Sequence, residues 1–117
     1  INKYSLLTIW DDLMKGPEYI EFSYLYRDSG NYKNFGFAYM YNSKRKPLET
    51  LEKEIHSYLI DRDFFYAKDI GVPPLFFEDS TPDDVSWHEF IEVLEASPEK
   101  KPDLDIENVL TIIKEKY

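Results

Sequence analysis

The chain has 117 residues, no Cys, and 14 Lys or Arg residues against 23 Asp or Glu residues, which gives a formal net charge of −9. This length predicts one domain, and the lack of Cys excludes disulfides, thiolate metal sites and a Cys nucleophile. The lack of Cys is also typical of a reducing cytosol, and no apolar run approaches the roughly 20 residues needed to span a bilayer. We therefore expect a cytoplasmic protein, and the start at Ile1 suggests a fragment of a longer product.

The negative charge is concentrated in the last third of the chain. Residues 1–77 carry a net charge of −1 and residues 78–117 carry −8, and residues 78–95 include seven carboxylates without any Lys or Arg. Such a surface repels phosphate backbones and attracts basic partners, so nucleic acid is not expected as a partner. The alternative is that these charges only keep an aromatic-rich domain soluble.

The first half of the chain predicts a helix, a hairpin and a second helix. Apolar spacings of three and four predict a short amphipathic helix over 5–15. Two alternating runs at 19–27 and 35–41 flank a polar turn and predict a β-hairpin. The second run has one aromatic face, which we expect to pack beneath a helix at 47–60. Such a face is also similar to a platform for single-stranded nucleic acid, a use that the net charge disfavours.

The second half predicts one strand and one helix after an irregular stretch. Residues 64–66 favour a short extended piece, the prolines that follow enforce irregular structure, and residues 75–77 are expected to be buried beneath it. Residues 85–94 fit both a helical stripe and a strand, and their β-branched and aromatic content favours the strand. The prediction is a single-domain α+β fold, with an antiparallel sheet of 19–27, 35–41 and a strand near 86–94, packed by helices 5–15, 47–60 and 104–116.

The hairpin turn gathers polar groups that form the first candidate site. A structural explanation suffices, because Gly30 and Asn31 tolerate positive φ and Asp28 can bond nearby backbone amides. The functional alternative is a site for a small polar or anionic ligand. Its candidate ligand-binding residues are Arg27, Asn31, Tyr32 and Lys33, with Asp28 as a carboxylate.

The second candidate is His88, in the run Trp87-His88-Glu89-Phe90. His88 and Glu89 diverge on a strand and on a helix, so the adjacent pair is a weak signal. An acid–base role would require His88 to meet Asp28 across the fold, and a lone His in a small domain is more often structural. The carboxylates near 78–84 lack the spacing of a calcium loop. We therefore predict no metal and no cofactor.

Several blocks together resemble a known family. The run YLYRDSGNYKNFG at 24–36 is followed in order by Phe64-Phe65, by GVPPL at 71–75 and by WHEF at 87–90. This order resembles a family of small uncharacterised bacterial proteins that carry a YRDxxNYK block and a later HEF block. The resemblance covers roughly residues 19–92. It implies a bacterial or phage-associated cytosolic protein and implies no activity, cofactor or partner.

These observations favour a non-enzymatic binding or accessory module for a basic protein partner, with neither nucleic acid nor a membrane as partner. The expected partner-binding residues are Asp83, Asp84, Glu89 and Glu92. The alternative is a small polar-ligand-binding or weakly catalytic domain, with Asp28 and His88 as its acid–base candidates.

Overall fold

A long antiparallel hairpin forms the centre of the fold. Its strands are β1 (Tyr19–Arg27) and β2 (Lys33–Tyr41), which stay in register along their whole length. The turn between them places Asn31 at a φ of 66°. The structure is a computed structural model that describes residues 15–117, so the helix predicted over 5–15 lies outside the described residues apart from Lys15.

Three further strands extend the hairpin into a five-stranded sheet. They are β3 (Phe64–Phe65), β4 (His88–Glu95) and β5 (Leu104–Asp105), and the strand order is β3-β4-β1-β2-β5. All neighbours are antiparallel except β2 and β5, which pair in parallel at two residues. β4 confirms the strand predicted near 86–94. Its register against β1 shifts between Ser23 and Tyr24, which marks a β-bulge or local irregularity.

The helices of the described residues are α1 (Leu48–Tyr58), α2 (Ala67–Ile70) and α3 (Ile106–Lys116). α1 and α3 confirm the helices predicted at 47–60 and 104–116. The Asp105 carboxylate caps α3 by accepting a bond from the Glu107 backbone N–H at 3.0 Å. Lys46 joins the two long helices through ion pairs with Glu54 at 3.0 Å and Glu107 at 3.1 Å. The result is the predicted α+β fold.

The helices cover the face of β2 that carries small residues, whereas the prediction placed them over its aromatic face. The register places Phe22 across from Ala38 and Tyr24 across from Gly36, so the aromatic side chains of β1 share the core face with the small residues of β2. The prediction that the aromatic face of β2 packs beneath a helix is therefore wrong. The space above the small residues is already filled, since a Cβ on Gly36 would lie 2.8 Å from the Leu75 side chain.

The irregular segment 71–87 is held against the sheet by side chains. Hydroxyls of Tyr24 and Tyr26 donate to the carbonyl oxygens of Pro73 at 2.5 Å and Val85 at 2.6 Å. The Asn34 amide donates to the Leu75 carbonyl at 3.0 Å. The expected burial of residues 75–77 is right only in part, because Leu75 and Phe77 are half-buried while Phe76 is 47% exposed.

We expect Tyr24→Phe to lower the free energy of unfolding by about 1 kcal/mol, because the buried Tyr24 hydroxyl that donates to the Pro73 carbonyl is lost. Urea unfolding measures this change. Tyr39→Phe is the matched control, since Tyr39 is 39% exposed and its hydroxyl has no hydrogen bond among residues 15–117. Equal losses in the two variants would show that the hydroxyl of Tyr24 does not hold the segment.

Candidate functional site

At the hairpin tip, Arg27 is already bound by neighbouring side chains. Its guanidinium donates to both Glu89 carboxylate oxygens, at 2.8 Å from Nε and 3.2 Å from Nη2, and it also donates to the Asn31 side-chain oxygen. This hydrogen-bonded pairing with Glu89 raises the pKa of Arg27 further above its ordinary value. The ion pair joins β1 to β4 and leaves few donors of Arg27 for a ligand.

Two carboxylates at the tip bind main-chain groups of the protein itself. Asp28 accepts from the Tyr32 N–H at 2.9 Å. Asp84 accepts from the Ser29 N–H at 2.8 Å, the Ser29 hydroxyl at 2.7 Å and the Thr81 N–H at 2.8 Å. The backbone bonds from Thr81 and Ser29 lower the pKa of Asp84 to about 2. Asp84 therefore ties the loop before β4 to the hairpin turn.

His88 is fully buried at the start of β4 and serves as an acceptor. Its Nε2 accepts from the Leu75 N–H at 2.9 Å, so the ring is neutral and carries its proton on Nδ1. Nδ1 has no partner in hydrogen-bond geometry among the described residues. Burial lowers the pKa of His88 to about 4, and the nearby Ser86 backbone opposes this shift only in part. The ring lies among the aromatic side chains of Tyr24, Tyr26, Phe65 and Phe76.

The structure brings Arg27 into contact with Asn31 and Glu89, whereas no hydrogen bond joins Asp28 to His88 among residues 15–117. Neither Asp28 nor His88 lines any of the three cavities that we describe among residues 15–117. Asp83 is exposed in the loop beside Asp84, whereas Glu89 and Glu92 belong to β4. The ligand-binding and partner-binding roles stay predictions, and at the tip only the side chains of Tyr32 and Lys33 are both exposed and without a hydrogen bond or ion pair among these residues.

A different site lies on the open face, which we define as the sheet face opposite the described helices. It holds a shallow depression of about 420 Å³, lined by Glu21, Ser23, Phe35, Gly36, Phe37, Ile91, Glu92 and Leu94. Phe35 and Phe37 are 64% and 52% exposed there. Neither Glu21 nor Glu92 has a Lys, Arg or His partner within ion-pair distance among residues 15–117.

Sequence reasoning missed the open face, although the turn length could have indicated it. Because Arg27 pairs with Lys33, an odd-numbered residue of β1 always lies opposite an odd-numbered residue of β2, and an even-numbered residue opposite an even-numbered one. The buried aromatic residues of β1 are even-numbered and the aromatic residues of β2 are odd-numbered, so the two sets must lie on opposite faces.

The two other cavities that we describe among residues 15–117 carry no catalytic grouping. One of about 280 Å³ lies beside α2, lined by Tyr66, Ala67, Lys68, Pro74, Phe76 and Ser86. Another of about 390 Å³ lies between residues 17–19, Arg45 and residues 95–98. Within residues 15–117, no group of three or more His, Asp or Glu side chains is placed to hold a metal ion. No helix of this range is long and apolar enough to cross a membrane.

No protein-family model, curated protein or solved structure matches this chain. The resemblance to the YRDxxNYK family stays a prediction, so the function is argued from geometry.

We expect the free energy of unfolding to fall as the pH drops from 6.5 towards 4, by roughly 3 kcal/mol at most. In this window the unfolded chain protonates His88 while the folded protein keeps it neutral, so the stabilisation is complete above pH 6.5 and is lost on acidification. Asp84 affects the stability at lower pH, because the stabilisation that its lowered pKa provides is lost only as the pH falls below 3.8.

Urea unfolding at several pH values tests this, with His88→Gln as the comparison. The variant should be less stable at pH 7 and show a flatter profile between pH 6.5 and 4. Identical slopes in the two proteins would assign the pH dependence to other groups.

Proposed function

We propose that this protein is a non-enzymatic binding module that holds a basic protein partner on the open face of its sheet. One observation carries the proposal: apolar side chains line the same depression as two carboxylates that have no ion-pair partner among residues 15–117. The apolar members are Phe35, Phe37, Ile91 and Leu94, and the carboxylates are Glu21 and Glu92.

The chemistry of this depression fits a segment with apolar residues flanked by Lys or Arg. A contiguous exposed apolar patch with a polar rim is typical of interaction sites. The partner's apolar side chains would cover Phe35, Phe37 and Leu94, which are 42–64% exposed. Its cations would pair with Glu21 and Glu92, and exposed aromatic rings also attract cations.

The overall charge supports the same class of partner. The net charge of −9 favours encounter with basic proteins and disfavours nucleic acid. Of the carboxylates expected to bind the partner, Glu92 lies in the depression and Glu89 is paired with Arg27 at the edge of the same face. A cytoplasmic site of action in a bacterial cell belongs to the proposal and is supported by the lack of Cys and by the family resemblance.

A ligand site or weak active site at the hairpin tip receives less support. Arg27, Asp28 and Asn31 each make a hydrogen bond within the protein, and His88 is buried and neutral. A general base must reach its proton within hydrogen-bond distance or through one water.

The test measures binding of a fluorescent amphipathic peptide built of Leu and Lys by anisotropy at low salt. We expect Glu21→Gln with Glu92→Gln to weaken binding roughly tenfold, because two exposed charge contacts contribute about 0.7 kcal/mol each.

The matched control is Glu78→Gln with Asp79→Asn, which removes the same charge from an exposed loop outside the depression. This control should change the affinity by less than about twofold. Equal weakening by the two double variants would show that net charge alone attracts the peptide and that the open face is not the site.

A further inference from the structure

Within the part of the chain that the structure describes, no strand pairs with the outer edge of β2 over most of its length. β5 pairs only with Met40 and Tyr41, so residues 33–39 have β1 on one side and no strand of the described residues on the other. This stretch, KNFGFAY, contains one charged residue and no Pro. Monomeric proteins usually protect such an edge with charges, Pro or a covering segment, because its free main-chain groups can pair with another strand.

The hydrogen bonds at both ends of the hairpin show which main-chain groups are free. Asp28 N–H donates to the Tyr32 carbonyl at 3.1 Å, and Asn42 N–H donates to the Glu18 carbonyl at 2.8 Å. Both bonds join even-numbered residues, and bonded pairs alternate along an antiparallel ladder. The N–H and C=O groups of residues 33, 35, 37 and 39 therefore point away from β1.

The free stretch is self-complementary about Gly36. If two copies run antiparallel with Gly36 opposite Gly36, Phe35 lies across from Phe37 and Lys33 across from Tyr39. These are odd-numbered residues, so their outward main-chain groups meet as hydrogen-bonded pairs. Their side chains lie on the open face, where aromatic cross-strand pairs and a cation over a Tyr ring are each favourable.

We propose that the edge of β2 pairs with the same edge of a second copy about a two-fold axis, which joins two five-stranded sheets into one. The length of the free edge favours a second copy as its partner, because β5 limits this edge at one end and the hairpin turn limits it at the other. A second copy has the same limits and therefore fits. Gly36 would lie at the axis, where opposite residues approach within about 4.5 Å.

This association does not rest on the proposed function, although both use Phe35 and Phe37, and it has the opposite salt dependence. The two copies carry −9 each, so added salt should strengthen the dimer. Binding of a basic partner should weaken with salt. The dimer would leave Glu21, Glu92 and Leu94 free, since these residues lie on β1 and β4.

Cysteine pairing tests the register, because the chain has no Cys of its own. Oxidising a mixture of Phe35→Cys and Phe37→Cys should give disulfide-linked dimers, since bonded pairs have Cα atoms about 5.5 Å apart. Either variant alone should give at least about fivefold less, because its two Cys residues would be offset by two positions, more than about 7 Å apart. Equal yields in all three samples, or none in any, would overturn the proposed pairing.

Sedimentation of the intact chain provides the second test. The dimer dissociation constant should fall roughly threefold or more between about 20 and 500 mM NaCl. Phe37→Pro should abolish the dimer, because it removes an outward N–H that pairs with the second copy, whereas Phe37→Ala keeps that N–H and should weaken the dimer less. Loss of the dimer in Leu94→Lys but not in Phe37→Pro would indicate face-to-face packing instead. A monomer under all conditions would refute the proposal.

Discussion

The fold depends on how the irregular segment 71–87 satisfies its main-chain polar groups above an aromatic core. This segment has no strand ladder, and its two adjacent prolines cannot donate hydrogen bonds. The sheet supplies the missing partners: hydroxyls of Tyr24 and Tyr26, the Asn34 amide and the His88 ring bind backbone groups of Pro73, Leu75 and Val85. Because buried polar groups must be paired, these side chains fix the path of the chain between α2 and β4.

This anchoring also decides which face of β2 is buried. Leu75 packs over Gly36, and a larger residue there would collide with it. Small residues on the core face leave alternate positions for the opposite face, where Phe35, Phe37 and Tyr39 are exposed. The open face therefore follows from the same packing that secures the segment. Its aromatic character reflects a two-layer arrangement, in which the described helices occupy one side only.

The charged residues at the hairpin tip and on the open face differ in whether they have a partner of opposite charge within residues 15–117. At the hairpin tip, Arg27 pairs with Glu89, and Asp84 accepts hydrogen bonds from Ser29. These bonds join the turn to β4 and to the loop before it. On the open face, Glu21 and Glu92 have no ion-pair partner among residues 15–117, beside apolar side chains. A group that is already satisfied gains little from a ligand, whereas an unpaired charge beside apolar surface gains from a partner that supplies both. The open face is therefore the stronger candidate for recognition.

The sequence by itself determined the long elements. Period-two alternation specified β1 and β2, β-branched and aromatic content favoured β4, and helical spacing specified α1 and α3, because these signals are local. Local pattern did not reveal that His88 and Asp84 hold backbone groups far along the chain. Only the tertiary structure decided which face of β2 became the core, since this depended on the register across the turn and on Leu75 occupying the space above Gly36. It also decided that, among the strands of residues 15–117, only β5, a strand of two residues, pairs with the outer edge of β2 and covers only its end.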